Sequence, residues 1–462
     1  MDGVGQHHPT DAEEATTHPP EGTPPSPLRP RPVPWRPTMD VHPDAASEPG
    51  PAEPRSRARR NFVPLVAGQA ISLFGDYVAW FTLPYFVLSL TGRPLDLGLT
   101  AFAETLPMLL FGFTAGAYLD RRRRLLPVLV SADLARAGVF GLLGVVAATG
   151  AATPTLVFAA AFVAGSLAVL FDAGFHALMP GLLEEDMLVE AHTKLGFARS
   201  SMFALGPLVA GFAIAKTNGF VLAFLLDAAT FVASAGFLLS TRRLRPRVRS
   251  ESAPILRSIA EGLRFLFREP RLRLATLGGL VTNFVFSPLS ALLILFVASQ
   301  ILDTEQTGLS LTGDGLRIGL YVSGHALVGA LGVAFASRVA AKIGLGRLFV
   351  VGLTMFGSGF LLVALWHSYW SFLGAGVGVA GVMWVNVAFS TMRQRLSPEP
   401  LLARVVSASR TITWAGLPAG AALGSGIAEA VGLVPVYVFG SAVVIVTGLV
   451  LSRTALGRLD LA

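Results

Sequence analysis

Gly116-Ala117-Tyr118-Leu119-Asp120-Arg121-Arg122-Arg123-Arg124 closes one long apolar segment and opens the next. Four consecutive arginines between two apolar runs place this turn on the cytoplasmic face of a membrane, because Lys and Arg in short loops resist translocation. The whole chain agrees with that reading. Its 462 residues are 53% hydrophobic and 14% charged, with a mean hydropathy of +0.62, against about 25% charged in a soluble average.

A bilayer core needs roughly 20 apolar helical residues. Working outward from the arginine turn, segments near 62–91, 95–118, 125–148, 153–176, 190–215, 219–240, 273–300, 316–338, 346–366, 369–392, 403–429 and 432–452 qualify. The expected fold is an all-α integral membrane protein of twelve transmembrane helices in two six-helix halves. Charge tests that count. With the N-terminus inside, the cytoplasmic ends and loops hold 26 Lys and Arg, and the outer side holds Arg93, Lys216 and Arg317. A one-helix error would scramble this asymmetry, so both termini are expected in the cytoplasm of a multi-pass cell-membrane protein.

The domain reading follows from composition. Residues 1–60 hold fourteen of the thirty prolines and four of the eight histidines, and are expected to be a disordered cytoplasmic tail without a metal site. No cleavable signal is expected there, and Met39 is a candidate start. Residues 61–241 form the first half, 242–272 a basic linker, 273–452 the second half and 453–462 a cytoplasmic tail. In the linker, Ile255, Ile259, Leu263 and Leu266 recur at helical spacing among Arg257, Glu261, Arg264 and Arg268, which predicts an amphipathic helix on the inner membrane surface. The pI near 10.2 is explained by topology, so no nucleic-acid partner is expected. The chain has no cysteine, which excludes disulfides and thiolate chemistry. An internal repeat supports two halves: Arg199 precedes Pro207 as Arg410 precedes Pro418, both pairs 211 residues apart.

Ionisable residues inside apolar runs are functional candidates, since each costs at least about 2.5 kcal/mol at the bilayer centre. By helix rise, Asp76 lies about 21 Å from the cytoplasmic face, and Glu104 and Asp227 about 13 and 12 Å from the outer face. These three, with His325 in the eighth helix, are the proton-coupling or substrate candidates. Tyr77, Trp80, Asn283, Phe286 and Asn386 are expected to line a pocket, among other aromatic residues of the same helices. Gly206, Pro207, Gly211 and Pro418 read as hinges, because proline kinks a helix and glycine admits a close neighbour. Asp120, Asp133, Arg136, Asp172, His176, Arg199 and Arg410 are placed together near the cytoplasmic face. Asp133 and Arg136, one turn apart, are placed to pair.

The turn at Gly116, Asp120, Arg121 and Arg124 resembles the loop between the second and third helices of major facilitator superfamily transporters, with Arg123 where a second glycine is expected. Gly206-Pro207-Leu208-Val209-Ala210-Gly211 resembles the second half of the antiporter signature of drug-exporting facilitators. Gln69, Ser72, Gly75-Asp76, Leu83-Pro84, Leu106-Pro107, Leu226-Asp227-Ala228-Ala229-Thr230-Phe231 and Arg393-Gln394-Arg395-Leu396-Ser397-Pro398 are similar, in order, to the branch holding macrolide-efflux proteins and the enterobactin exporter. That resemblance implies a gate in which Asp120, Arg124 and Asp172 lock the inner ends, joined here by Gly116, Arg121, Arg199 and Arg410. It also implies export of an amphipathic small molecule, such as an antibiotic or siderophore, by proton antiport, with no cofactor beyond the proton gradient. A monomer in the lipid bilayer is expected. A proton-coupled nutrient importer is the alternative; a membrane-embedded transferase and a sensor using the tail rank lower. No stretch fits an ATP-binding loop.

Overall fold

The computed structural model describes residues 55–122, 124–217, 219–241, 255–302 and 313–459. Side chains of 55–59, Phe113, Ala117, Asp120, Glu185, Asp186, 255–259 and Pro400 fall outside that description. The expectations for the proline-rich tail through Pro54, for Arg123 and for the side chain of Asp120 therefore lie outside the described residues.

The chain is nearly all helix. Helices α1 (Arg55–Thr91), α2 (Pro94–Asp120), α3 (Leu126–Thr149), α4 (Pro154–Leu182), α5 (Glu185–Thr217) and α6 (Val221–Ser240) come first. After α7 (Ile255–Arg268) follow α8 (Pro270–Ala291), α9 (Leu293–Phe296) and a wide π-turn over Val297–Ile301. The chain then continues through α10 (Gly315–Val333), α11 (Ala336–Ile343), α12 (Leu345–Leu365), α13 (Phe372–Leu396), α14 (Glu399–Val431) and α15 (Leu433–Ser452). Prolines 94, 154 and 270 stand at helix starts, where a missing N–H removes no helical bond. Gly150 ends α3 in the left-handed region at φ 68°, its N–H turned back to the Val146 carbonyl, a conformation that side chains disfavour.

Eleven of the described helices are long and apolar enough to cross a membrane by length and composition. The expected eleventh span is not among them. It is α14, which carries Glu399, Arg404, Arg410 and Glu429, yet it packs in the bundle against α8 and α2. Other expectations change at their edges. α1 begins at Arg55, so the last basic residues of the supposed tail are helical. The expected seventh helix breaks at Leu292, one turn beyond Pro288. Pro288 lacks an N–H and leaves the Phe284 carbonyl without its helical donor; Gly420 of α14 lies directly against that carbonyl. The final turns are no free tail: Leu456 and Leu459 are buried, and the Gly346 N–H donates to the Leu459 carbonyl at 3.2 Å.

Helix α7 is docked against α14. Leu266 is fully buried, Gly262 admits the Arg404 carbonyl where a Cβ would collide, and Arg404 pairs with Glu261. The repeat is visible in the packing. α5 lies against α1 and α10, and α14, its counterpart 211 residues on, lies against α8 and α2.

Two ends of the bundle are distinguished below by sequence. The arginine-rich end holds the turn at 121–124, and the far end holds Arg93, Lys216 and Arg317.

Candidate functional site

The far end is sealed by backbone contact. Gly98 of α2 faces Ser425 and Ala421 of α14 so closely that a Cβ would collide with both. Gly211 of α5 is pressed on the Gly315 carbonyl of α10, and a Cβ on Gly319 would lie 2.7 Å from the Pro207 carbonyl. Above these contacts Arg93 donates from Nε to Glu429 at 3.0 Å, and the Leu95 N–H donates to the other Glu429 oxygen at 3.2 Å. Of the expected hinge residues, Pro207 and Gly211 are close-approach points here. Gly206 belongs with them, since a Cβ there would lie 2.7 Å from the Tyr77 Cβ.

Toward the arginine-rich end the same helices part. A Cβ on Gly116 would meet nothing within 4 Å, Arg121 and Arg124 are exposed, and Arg122 lies over the Tyr118 ring, donating to its hydroxyl at 2.7 Å. Between the diverging helices lies a cavity of about 750 Å³. Its walls come from α1 (Asp76, Tyr77, Trp80), α2 (Glu104), α3 (Arg136), α4 (Asp172, His176), α5 (Arg199) and α14 (Arg410, Trp414). A smaller cavity of about 220 Å³ adjoins it, sharing Trp80 and Glu104 and otherwise lined by apolar groups such as Phe81, Phe286, Ile294 and Leu417.

Counting helix rise from the far-end termini, Glu104 is deepest at about 15 Å, Arg136 and Asp76 follow at about 20 to 22 Å, and Asp172, Arg199 and Arg410 stand at about 27 to 31 Å. The charges are therefore layered along the cavity.

The middle layer is the most constrained. Arg136 is 1% exposed, while Asp76 is 38% exposed toward the cavity. Arg136 donates to Asp76 at 2.7 Å and to Ser72 at 3.1 Å, and it pairs with fully buried Asp133 one turn away. Its guanidinium also lies over the rings of Phe231 and Phe171, 4.2 and 4.8 Å from their centroids. The local pair was legible in the spacing. Its placement near the cytoplasmic face is corrected: Arg136 is joined to Asp76 in the middle of the bundle.

The other candidates separate. Glu104 lines both cavities and has no ion-pair partner among the described residues. Asp227 is fully buried, with neither carboxylate oxygen hydrogen-bonded among the described residues, and it lies against Gly75 of α1. It does not line the cavity. His325 is buried away from it, edge-on to Phe203 at 6.3 Å. Asn283 donates to the Thr413 carbonyl at 2.8 Å, which ties α8 to α14, and Asn386 is exposed on α13. Phe286 serves the smaller cavity. Reading by helix and depth missed Trp414 in the wall, and Gly98, Ser425 and Glu429 in the seal. The stripe Gly416, Gly420, Gly424 was the available signal for close packing of α14.

Residues 58–462 match the sequence model of a family described as transmembrane secretion effector. The chain is similar to macrolide efflux protein A of Streptococcus pyogenes, 23% identical over 374 residues covering 80% of this chain and 90% of that protein. It is also similar to the multidrug efflux pump Tap of Mycolicibacterium fortuitum, 28% identical over 429 residues covering 87% and 96%. The fold is similar to that of the nucleoside transporter NupG, with a TM-score of 0.67 at 11% identity over 87% of this chain and 100% of that one. A bacterial homologue of the iron transporter ferroportin in an inward-facing state gives a TM-score of 0.62 at 18% identity, covering 86% and 99%.

Proposed function

This chain belongs to the transmembrane secretion effector family of major facilitator transporters and is a membrane transporter, not an enzyme, and on that premise we propose that it exports amphipathic small molecules by proton antiport. The efflux proteins among its relatives support the direction. The observation that carries the coupling is Asp76, which reaches the cavity on one side and binds buried Arg136 on the other.

The transporter sits in the cell membrane with the arginine-rich end and both termini in the cytoplasm, following its charge asymmetry. In the conformation described, the outer ends of α2 and α14, and of α5 and α10, are closed, and the cavity faces the cytoplasm. Substrate enters from that side or from the inner leaflet. The two halves then rock, releasing the glycine contacts and the Arg93–Glu429 pair outside, while Gly116, Asp120, Arg121, Arg124, Asp172, Arg199 and Arg410 close the inner ends.

The proton acts at Asp76. Deprotonated, Asp76 and Asp133 set two negative charges against the single positive charge of Arg136. A proton taken up from the outside neutralises one of them and frees the Arg136 amino group that Asp76 held. Arg136 then keeps Asp133 as its partner, and the loss of the Asp76 contact changes how α1 is held against α3. When the cavity next faces the cytoplasm the proton leaves, the pair re-forms and substrate binds. Linkage requires each ligand to weaken the other.

The test is efflux of amphipathic dyes and macrolides from cells expressing the protein, with and without a protonophore. Asp76→Asn is expected to abolish protonophore-sensitive efflux while leaving the protein folded. Undiminished efflux in Asp76→Asn would remove Asp76 from the coupling role. Uptake in place of efflux would make the protein an importer.

A further inference from the structure

The layer nearest the arginine-rich end has charges that the antiport cycle leaves unbalanced. Arg199 on α5 and Arg410 on α14 occupy equivalent places in the two halves, 211 residues apart, and both line the same cavity. Each is exposed to it. Among the described residues neither guanidinium has a salt-bridge partner. Arg410 rests on the Trp414 ring, 3.8 Å from its centroid. Among the described residues the acid lining the cavity at this depth is Asp172, with His176 one turn away on the same helix. One carboxylate therefore stands against two guanidinium groups and a histidine.

We infer that Arg199 and Arg410 form a two-sided clamp for an anionic group, so that the cavity takes amphipathic anions or zwitterions. A guanidinium presents a planar fork of N–H donors that matches a carboxylate or phosphate bidentately. Two such forks, one from each half, bring the halves together around a ligand as neither would alone. The rest of the cavity fits the same ligand. Tyr77, Trp80, Phe140 and Trp414 receive an aromatic or alicyclic body deeper in, and the adjoining apolar cavity past Trp80 receives a substituent. Glu104, at the junction, favours a molecule whose opposite end carries an amine. This names the substrate class for the export reading and rests on that reading for direction only.

Rhodamine B and its ethyl ester share one ring system and differ in a free carboxylate. Binding of each to the purified full-length protein in nanodiscs is measured by dye anisotropy. The acid is expected to bind about tenfold more tightly than the ester. Arg199→Gln and Arg410→Gln should each bring that ratio close to one, and Arg410→Lys, which keeps the charge but not the fork, should keep a smaller part of it, which also shows that the site survives substitution. A ratio near one in the native protein, or a ratio that persists in the Arg199→Gln/Arg410→Gln double variant, overturns the clamp. A gating role alone leaves the ratio intact and slows transport of both dyes equally. Export is measured separately in energised vesicles. The expected ratio without export sinks the exporter reading and spares the clamp, and export with a ratio of one does the reverse.

Discussion

The two halves share a packing plan but not a chemistry. In the first, Asp76, Glu104, Asp133, Arg136, Asp172 and Asp227 all lie within the helices, and one buried guanidinium joins Asp76 to Asp133. In the second, the polar groups are mostly neutral and hydrogen-bonded to backbone. Asn283 donates to the Thr413 carbonyl at 2.8 Å, Trp384 to the Gly332 carbonyl at 2.9 Å and Tyr437 to the Leu289 carbonyl at 2.5 Å. Glycines there press backbone on backbone, as where a Cβ on Gly352 would lie 2.7 Å from the Gly381 carbonyl. A neutral hydrogen bond that satisfies a buried carbonyl makes a rigid joint. A charged cluster whose balance one proton changes makes a switch. The fold repeats, and its titratable groups are concentrated on one side of the repeat.

The largest expected effect tests this asymmetry directly. Arg136→Leu leaves Asp133 buried without its partner and should lower stability by about 3–5 kcal/mol, whereas Asn283→Leu in the second half should cost about 1–3 kcal/mol, the penalty for one unpaired carbonyl. Denaturation of the purified variants, side by side, checks the difference; equal losses would mean that the halves do not differ in this way.

An intermediate effect is expected at the seal. Gly98→Val drives a side chain into Ser425 and Ala421, and overpacking of this kind costs about 1–3 kcal/mol. That should open the far end without touching the charged cluster. Because the native chain has no cysteine, one cysteine introduced at Ser425 reports the change: a membrane-impermeant thiol reagent should label it faster in Gly98→Val. Unchanged labelling would show that the contact does not hold the end closed.

Glu429→Gln should have the smallest consequence. The Arg93–Glu429 pair is solvent-accessible, and such pairs contribute little and are screened by salt. Efflux in the variant should differ from native at low ionic strength and converge with it at high salt.

Much of the architecture was legible before any coordinates. Lys and Arg avoid translocation whatever the tertiary packing, so Arg121–Arg124 and the linker arginines mark where apolar helices end, before any packing is known. The Asp133–Arg136 pair was legible for a related reason, since an i,i+3 spacing puts both on one helix face. Its link to Asp76, 60 residues away, was not, because helix rise sets depth and says nothing of how α1 and α3 are rotated toward each other. The same gap misplaced Asn283, Asn386 and His325, whose helices were known but whose faces were not. α14 is less apolar than the other spans because Gly416, Gly420, Gly424 and Pro418 fall in its middle, and Arg404, Arg410 and Glu429 toward its ends face the linker helix, the cavity and the seal.

By itself the sequence determined the class, an all-helical membrane transporter of this family, because that follows from local composition, charge and ordered motifs. Only the tertiary structure decided that Asp76 shares Arg136 with Asp133, that Glu104 stands between two cavities, and that Gly98 and Gly211 close one end. Those are distances between residues far apart in the chain, and they are set by how whole helices pack and turn against one another rather than by the neighbours of any one residue.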